Sequence, residues 1–375
     1  MGFCVEIKIM KIPVYQPSLT GNEKKYVNEC LDSTWISSKG EFIQRFEQSF
    51  CKFTGARNAA TCSNGTVAIH LALIALGICA GDEVIVPTLT YIASVNAIVY
   101  MGATPVFADS EAATWQLCVD DVRAKITFKT RAIMAVHLYG HPCDMPALRS
   151  LADEHGLFLI EDCAEAFGSR IGEQHVGTFG HIATYSFFGN KTITTGEGGM
   201  VTTDDDTLHD RVVHFKGQGL AKHRQYWHDV VGYNYRMTNI CAAIGLAQLE
   251  QAQLFLQKKR AIAQNYASQL DEIGLNYLRE SPGFTHSYWM FAMLVPNARQ
   301  RDPLRDALHH LGIETRPVFY PIHTMPMYSQ RFQSHPVAEK IAWSGINLPS
   351  SPNILPGEQE FIIQSINNFL TACKS

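Results

Sequence analysis

Leu157-Phe158-Leu159-Ile160-Glu161, followed at once by Asp162, gives the strongest strand signal in the chain. The run is apolar almost throughout and lacks the alternation of a half-exposed strand, which is typical of a strand covered on both faces. Further short apolar runs, at 59–62, 83–86, 105–108 and 132–136, alternate with segments of helical spacing. This alternation predicts an α/β fold with a mostly parallel central sheet wrapped by helices.

The segments between and around these apolar runs have the sequence features of helices. Thr20-Gly21-Asn22-Glu23 has the pattern of a capping box and predicts that the first helix begins there. Residues 42–53 place apolar side chains at helical spacing, and Gly55 predicts the end of that helix. Asp302-Pro303 has the residue types of a helix start, a capping Asp followed by Pro. Other predicted helices cover residues 66–76, 91–100, 145–154, 238–272 and 358–370.

The 375 residues are enough for one large domain and a smaller one. A shift towards Gly and Pro at 273–284 predicts the boundary between them. We therefore expect a loosely ordered N-terminal extension at 1–11, a large domain at 12–272 and a smaller α+β domain at 273–375. Short strands are also predicted at 200–203, 288–295 and 314–319.

The composition is that of an ordinary globular enzyme, with 46% hydrophobic residues, 18% charged residues and a net charge of −4. No run of Lys and Arg indicates a nucleic-acid interface. The N-terminal residues lack the pattern of a signal peptide, and no apolar stretch reaches the length of a membrane span. We therefore expect a cytoplasmic protein that binds neither nucleic acid nor membranes.

The chain has ten cysteines, and none belongs to a C-x-x-C pair. Zinc ribbons and thioredoxin-like sites need that spacing, so the sequence predicts no metal site. The simplest interpretation is a set of reduced, mostly buried thiols.

Two residues suggest a specific cofactor. Asp162 follows the strongest predicted strand, and open α/β sheets bind ligands at that end of their strands. Lys191 lies in a loop bounded by Gly189 and by the glycine-rich stretch 196–199. Pyridoxal phosphate needs a carboxylate that keeps its ring nitrogen protonated and a lysine that forms a Schiff base. An Asp after a strand is also a common turn cap, and a Lys beside glycines is commonly solvated, so both alternatives stay open on spacing alone.

The phosphate of such a cofactor has a candidate site at Ser63-Asn64-Gly65-Thr66, between a predicted strand and a predicted helix. The N–H groups at a helix N-terminus bind phosphate well, although capped helix starts of this kind are common. Gly189-Asn190-Lys191-Thr192 is not a P-loop, because Asn190 separates the glycine from the lysine. Gly217-Gln218-Gly219 lacks the third glycine of a dinucleotide site.

Together these segments resemble the sugar aminotransferases of the DegT/DnrJ/EryC1/StrS family from about Ile12 onwards. The resemblance implies a fold-type I enzyme that uses pyridoxal 5'-phosphate and works as a homodimer with shared active sites. It also implies transfer of an amino group, with L-glutamate as the expected donor, to the ketone of a nucleotide-linked sugar. The most specific stretches are 34–38, 63–66, 136–140, 160–165, 186–200 and 232–237.

The resemblance implies roles at the cofactor ring. Lys191 would form the Schiff base and then act as general acid and base, and Asp162 would pair with the ring nitrogen. Tyr91 would stack on the ring. Glu165 would lie near the phenolic oxygen, at a position where many relatives have Gln or His.

The resemblance also implies the phosphate ligands. Gly65, Thr66 and Ser186 would bind the phosphate from one subunit, and Asn234 would reach it from the neighbouring subunit.

Five further residues match segments that surround the sugar nucleotide in relatives. For each of them a structural role is an equal alternative. They are Trp35, Ser37, Ser38, Tyr320 and His323.

The stretches 186–200 and 316–319 resemble the members that aminate GDP-4-keto-6-deoxy-D-mannose. Because no sequence feature specifies the base, a UDP- or dTDP-linked 4-ketosugar stays open. Lys at 191, where dehydratase relatives have His, favours transamination.

A noncatalytic cofactor-binding regulator is the alternative from another class, although we do not expect the helix-turn-helix domain of such proteins here. A nucleotide-sugar oxidoreductase would need the dinucleotide fingerprint that is absent.

Overall fold

The computed structural model describes residues 11–329 and 333–373. The predicted loose order of residues 1–11 falls almost wholly on residues 1–10, outside the described residues. Near the start of the described residues, Ile12 forms a parallel bridge with Ile313. Ile12 and Val14 are both buried. The start of the described chain therefore packs against the C-terminal part.

The described strands lie at β1 (Asn58–Cys62), β2 (Glu83–Pro87), β3 (Thr104–Ala108), β4 (Thr130–Val136), β5 (Phe158–Asp162), β6 (Arg170–Ile171), β7 (Gln174–His175), β8 (Ile182–Ser186), β9 (Gly199–Thr203), β10 (Asn276–Tyr277), β11 (Phe284–Thr285), β12 (Phe291–Leu294), β13 (Arg316–Pro317) and β14 (Gly345–Leu348). The described α-helices lie at α1 (Glu23–Asp32), α2 (Glu41–Thr54), α3 (Gly65–Leu76), α4 (Ile92–Tyr100), α5 (Val119–Ala124), α6 (Met145–His155), α7 (Asp206–Lys216), α8 (Asn239–Glu250), α9 (Ala252–Glu272), α10 (Arg301–His310), α11 (Pro336–Ser344) and α12 (Pro356–Ala372).

The central sheet contains seven of these strands in the order β1-β9-β8-β5-β4-β2-β3. Neighbours from β8 through β3 pair in parallel, whereas β9 is antiparallel to both β8 and β1. Ile133, Met134 and Leu159 on the inner strands have no exposed surface. The predicted α/β fold with a mostly parallel sheet is therefore confirmed.

Helix α3 lies at the centre of this domain and packs against α4, α7 and strands β8 and β9. Residues 68–76 are all buried, which explains why the segment is apolar on every side. The Asn64 side chain caps the helix by accepting a hydrogen bond from the Val67 N–H, and Gly77 ends it in the left-handed region. The loop that holds Asn64 is thereby fixed at the carboxyl end of β1.

Helix α2 confirms the prediction for 42–53 and ends at Gly55, whose φ is 84°. The predicted capping box at Thr20 is wrong, because α1 begins at Glu23 with Asn22 before it and no side-chain cap. The Glu23 carboxylate instead accepts hydrogen bonds from the Gly21 N–H and from Gln248 of α8. A tertiary contact has taken the place of the cap.

Two predictions near the C-terminus also differ from the structure. Helix α10 begins at Arg301 rather than after Asp302, and the Asp302 carboxylate pairs with the Arg301 guanidinium instead of capping the helix. Within the predicted strand 314–319 only Arg316–Pro317 pairs with a neighbour. Pro317 has no N–H to extend the ladder, so the pairing is short.

The C-terminal part forms a second sheet in the order β10-β12-β14-β13, with antiparallel pairing throughout. Helices α10 and α12 pack together beside it, and α9 packs against α12. Strand β11 instead joins β6 and β7 in a third, small sheet. The domain boundary at 272/273 coincides with the end of α9 but stays a prediction, because β11 pairs back into the first part.

The described cysteines are free, and four of them are buried: Cys30, Cys62, Cys143 and Cys163. Within the described residues, no helix combines the length and apolarity needed to cross a membrane.

Candidate active site

A cavity of about 640 Å³ opens at the carboxyl ends of the parallel strands. Asp162 from β5 and Lys191 from the loop after β8 both line it. The opposite wall comes from the C-terminal part, through Trp289, Arg316 and Asn347. The sheet edge and the smaller part together enclose the two residues that the sequence singled out.

Asp162 is held at both carboxylate oxygens. The Ser94 hydroxyl donates to Oδ2 at 2.7 Å, and the Ala164 N–H donates to Oδ1 at 3.1 Å. Burial raises the pKa of Asp162, and the hydrogen bonds from Ser94 and Ala164 and the charge of Lys191 oppose that rise. A cationic partner in the cavity would therefore favour the charged carboxylate strongly.

Lys191 reaches the same cavity from a loop whose backbone is fixed. The Tyr15 hydroxyl donates to the Lys191 carbonyl at 2.7 Å, and the Trp289 indole N–H donates to the Asn190 carbonyl at 2.6 Å. The Lys191 Nζ lies 3.8 Å from the centre of the Trp289 ring. Burial lowers the pKa of Lys191, which increases the share of the neutral, nucleophilic amine.

Glu165 faces Lys191 across the cavity floor, with Oε1 3.8 Å from Nζ. Its other oxygen accepts a hydrogen bond from the Tyr139 N–H at 2.9 Å. Burial raises the pKa of Glu165 to about 7. Burial acts against the charged form of both groups, so the ion pair between them is weaker than the same pair would be without that burial.

The cradle predicted to bind phosphate consists of Asn64, Gly65 and Thr66 at the start of α3 and Ser186 at the end of β8, all lining the cavity. A Cβ on Gly65 would lie 2.7 Å from the Ser186 Cβ, so any larger residue at position 65 would collide with Ser186. The first N–H groups of a helix have no partner inside it and carry partial positive charge. The cradle therefore suits an anion.

Tyr91 precedes α4 and lines the cavity with 57% of its surface exposed. Its ring centre lies 5.6 Å from that of Phe319. It lines the same cavity as Asp162 and Lys191, and an exposed aromatic ring there offers a surface for stacking on a planar ligand.

Asn234, Ser37 and Trp35 are exposed and do not line this cavity. Trp35 lines a second cavity of about 510 Å³ beside Arg45 and Asn239. In a single chain the structure therefore does not bring these residues, or the neighbouring Ser38, to the site.

Tyr320 and His323 also lie outside the lining of the cavity. The Tyr320 hydroxyl accepts a hydrogen bond from Arg301. His323 is buried, with Nδ1 2.6 Å from the Thr88 hydroxyl and Nε2 3.2 Å from the Glu339 carboxylate. In this chain the contacts of both residues are structural.

A buried network lies under Asp162. Nε2 of His137 is 3.1 Å from the Glu161 carboxylate, which also accepts three backbone N–H groups, from Gly177, Phe179 and Gly180. The His137 Nδ1 accepts the Cys143 N–H. Cys163 brings a third possible metal ligand close, but the hydrogen bonds already occupy the His and Glu atoms. The network therefore fixes the ends of β4 and β5.

Several residues of the site were not predicted from the sequence: Tyr15, Ser94, Tyr139, Trp289 and Asn347. Tyr15, Ser94, Tyr139 and Trp289 contact Asp162, Glu165 or the Lys191 loop only in the folded chain, and Asn347 lines the same cavity. Tyr139, whose N–H donates to Glu165, lies in the 136–140 stretch of the family resemblance. That stretch was the one sequence feature that could have pointed to a residue of this group.

The chain is similar to known proteins. The model of the DegT/DnrJ/EryC1/StrS aminotransferase family matches residues 17–367. The chain is 64% identical to GDP-perosamine synthase of Escherichia coli O157:H7 over 358 residues, which cover 96% of this chain and 98% of that protein. It is 51% identical to GDP-perosamine synthase of Vibrio cholerae over 362 residues, covering 96% and 99%.

The chain belongs to the DegT/DnrJ/EryC1/StrS aminotransferase family. Among solved structures it is similar to the aminotransferase TlmJ from Streptoalloteichus hindustanus, with a TM-score of 0.93, 30% identity and coverage of 97% of this chain and 100% of that one. The expected family and fold are thus confirmed, and the protein is an aminotransferase.

Pyridoxal 5'-phosphate is the cofactor of this family, and the residues of the cavity fit it. Asp162 offers a buried carboxylate for the ring nitrogen, and Lys191 offers an amine in the same cavity. At Gly65 a side chain would collide with Ser186, and the start of α3 there offers N–H groups to the phosphate.

Proposed function

We propose that this aminotransferase transfers an amino group from L-glutamate to the 4-keto carbon of GDP-4-keto-6-deoxy-D-mannose and forms GDP-perosamine. The observation that carries the proposal is one cavity that contains Lys191, Asp162 and the Gly65 cradle, in a chain 64% identical to a GDP-perosamine synthase. The alignment with that protein covers 96% of the chain.

Each polar residue has a separate task in this mechanism. When bound, the cofactor supplies an electron-withdrawing ring that stabilises negative charge on the adjoining carbon. Asp162 keeps the proton on the ring nitrogen, and its own position is fixed by Ser94. The neutral Lys191 amine removes a proton from the donor amino acid and later delivers one to the sugar carbon.

Glu165 and Trp289 control the environment of that amine. Protonated Glu165 would donate a hydrogen bond at the cofactor's phenolic oxygen, and its raised pKa makes the protonated form available near neutral pH. The Trp289 ring covers Nζ on one side and limits its contact with water. The amine therefore stays poorly solvated, which is the condition for its lowered pKa.

The acceptor can be tested directly. Purified protein is incubated with glutamate and, separately, with GDP-, UDP- and dTDP-linked 4-keto-6-deoxysugars, and the products are identified by mass. We expect amination of the GDP-linked sugar. Amination of only a UDP- or dTDP-linked sugar would refute the proposed acceptor while leaving the aminotransferase assignment intact.

The second part of the proposal is a homodimer with shared active sites. Asn234, which the family resemblance assigns to the phosphate, is exposed in the single chain and away from the cavity. Large apolar side chains are exposed nearby, with Tyr226 93% and Val231 88% accessible. A second subunit that covers this surface would bring Asn234, and Trp35 with its neighbours, to the partner's cavity.

Mixing two inactive variants tests the sharing. Lys191→Ala and Asn234→Asp subunits are unfolded and refolded together. A mixed dimer then contains one site with both native residues, so roughly a quarter of wild-type activity should return. A mixture that stays inactive, although mixed dimers form, would refute the sharing.

We place the reaction in the cytoplasm, where the free cysteines would stay reduced. We propose that the product serves polysaccharide assembly of the O-antigen or lipopolysaccharide type, because nucleotide-linked sugars are activated glycosyl donors.

A further inference from the structure

Among the described residues that line the cavity, the cationic ones are Lys191 and Arg316. The mechanism uses Lys191 and leaves Arg316 without a task. Arg316 lies on β13, and its Nη2 is 3.5 Å from the Glu314 carboxylate, with both side chains about half exposed at 49% and 47%. Exposed ion pairs of this kind contribute little energy, so the guanidinium can exchange Glu314 for a ligand at low cost.

Asn347 lies directly opposite Arg316 in the register of β13 and β14. Asn347 is buried, with 3% of its surface exposed, and it lines the same cavity. The Asn347 Nδ2 donates to the Pro317 carbonyl at 3.1 Å, which fixes the orientation of the amide. Its Oδ1 has no hydrogen-bond partner in the described part of the chain. The Asn347 side chain also interacts with Tyr139. An amide oxygen with an open acceptor position at the cavity wall can accept a hydrogen bond from a ligand.

We propose that Arg316, oriented through Asn347, binds a carboxylate of the amino-acid donor. This inference rests on the proposed function, because it assigns a donor contact to the same cavity. The Asn347 oxygen would accept one hydrogen bond from the guanidinium or from the donor's amino group. The remaining guanidinium N–H groups would bind the carboxylate in the two-point geometry that arginine favours.

The position of β13 favours the donor carboxylate over the diphosphate of the sugar nucleotide. Phe319, three residues after Arg316, has its ring 5.6 Å from Tyr91 and 5.4 Å from Tyr139. The strand therefore passes beside the cofactor-ring side of the cavity. An α-carboxylate is bonded to the carbon that Lys191 must reach. The diphosphate is separated from the reacting 4-carbon by the sugar ring.

Because donor and acceptor react in separate halves of a ping-pong cycle, the test can separate the two anions. Holoenzymes of wild type, Arg316→Met and Arg316→Lys are mixed with L-glutamate, and the loss of visible absorbance is followed in single turnover. The half-saturating glutamate concentration should rise about 10- to 100-fold in Arg316→Met, and Arg316→Lys should recover part of that loss. Arg123→Met removes an arginine paired only with Glu154 outside the cavity and should behave as wild type.

Calorimetry with glutarate, an unreactive dicarboxylate, gives a readout independent of turnover. Its affinity should fall in Arg316→Met by a similar factor. In the second half-reaction, the half-saturating concentration of the GDP-linked ketosugar should stay within about twofold of wild type. Melting temperature and the cofactor spectrum establish that each variant is folded.

Two results would overturn the inference. Unchanged glutamate and glutarate affinity, with weaker binding of the sugar nucleotide, would assign Arg316 to the diphosphate. Unchanged affinity for every anion would leave it an ordinary surface arginine. A wild-type enzyme that reacts with no amino acid would refute the proposed function instead, and the glutarate measurement would still decide the Arg316 contact.

Discussion

The Ser94 hydroxyl donates a 2.7 Å hydrogen bond to Oδ2 of Asp162, at the end of the central strand of the cavity floor. The carboxylate is therefore oriented before any ligand binds, with the Ala164 N–H holding its other oxygen. An acid that is buried and already positioned can stabilise a cationic ring without reorganisation during the reaction.

Replacing Asp162 with Asn should raise the activation free energy by about 2–4 kcal/mol, which lowers kcat about 30- to 1,000-fold. The reason is that an amide cannot keep the ring nitrogen protonated. Steady-state kinetics with saturating donor and acceptor measure this loss. Ser94→Ala removes only the orienting hydroxyl and should raise the activation free energy by about 1 kcal/mol. Near-normal rates for Asp162→Asn would contradict the assigned role.

Lys191→Ala should abolish turnover and leave the fold intact, because the side chain ends in the cavity. Single-turnover absorbance measures transamination, and thermal unfolding monitors the fold. Lys258→Ala, at an exposed position of α9, serves as the matched control and should retain activity. Appreciable single-turnover transamination by Lys191→Ala would show that another base moves the proton.

Glu165 should make the cofactor-free protein less stable as pH rises. Burial raises its pKa from 4.5 to about 7, so the folded state holds a proton that the unfolded state releases. The stabilisation is complete below pH 4.5 and is lost as pH rises to about 7, by on the order of 3 kcal/mol.

The Glu165→Gln variant lacks this titration. We therefore expect the free energy of unfolding of the variant minus that of wild type to increase from pH 5 to pH 8. Denaturant unfolding of both proteins at each pH measures this difference. A constant difference between the two proteins across that range would mean that Glu165 titrates normally.

Tyr15→Phe should lower kcat about fivefold while leaving KM for both substrates nearly unchanged. The change removes the hydrogen bond that holds the Lys191 carbonyl, worth about 1 kcal/mol, and no substrate contact. Tyr277→Phe removes a surface hydroxyl that contacts Asp271 and Arg279, and it should have little effect on turnover. A Tyr15→Phe enzyme with wild-type kcat would show that the loop is held by its other contacts.

The sheet could be predicted because its inner strands are buried on both faces, which leaves a continuous apolar run such as Leu159-Ile160. Strands of two residues, such as β6 and β13, are too short for any period and depend on their partners. The start of α1 was misplaced because Glu23 turns towards Gln248, a contact made only in the folded chain.

The same division applies to the site. Asp162 and Lys191 follow strong strand and glycine signals in the chain, so they could be chosen as candidates, and the family resemblance supplied their expected roles. Tyr15 and Trp289 have no such signal, because each reaches the Lys191 loop from a distant part of the sequence. Asn234 and Trp35 lie away from the cavity of their own chain, and the role proposed for them requires a second subunit.

Reduction of the holoenzyme with borohydride, followed by digestion and peptide mass spectrometry, is the sharpest test of the Lys191 assignment. We expect a phosphopyridoxyl group on Lys191 alone, together with loss of the visible absorbance and of activity. The same group on a different lysine, such as the buried Lys259, or full activity after reduction, would contradict the assignment.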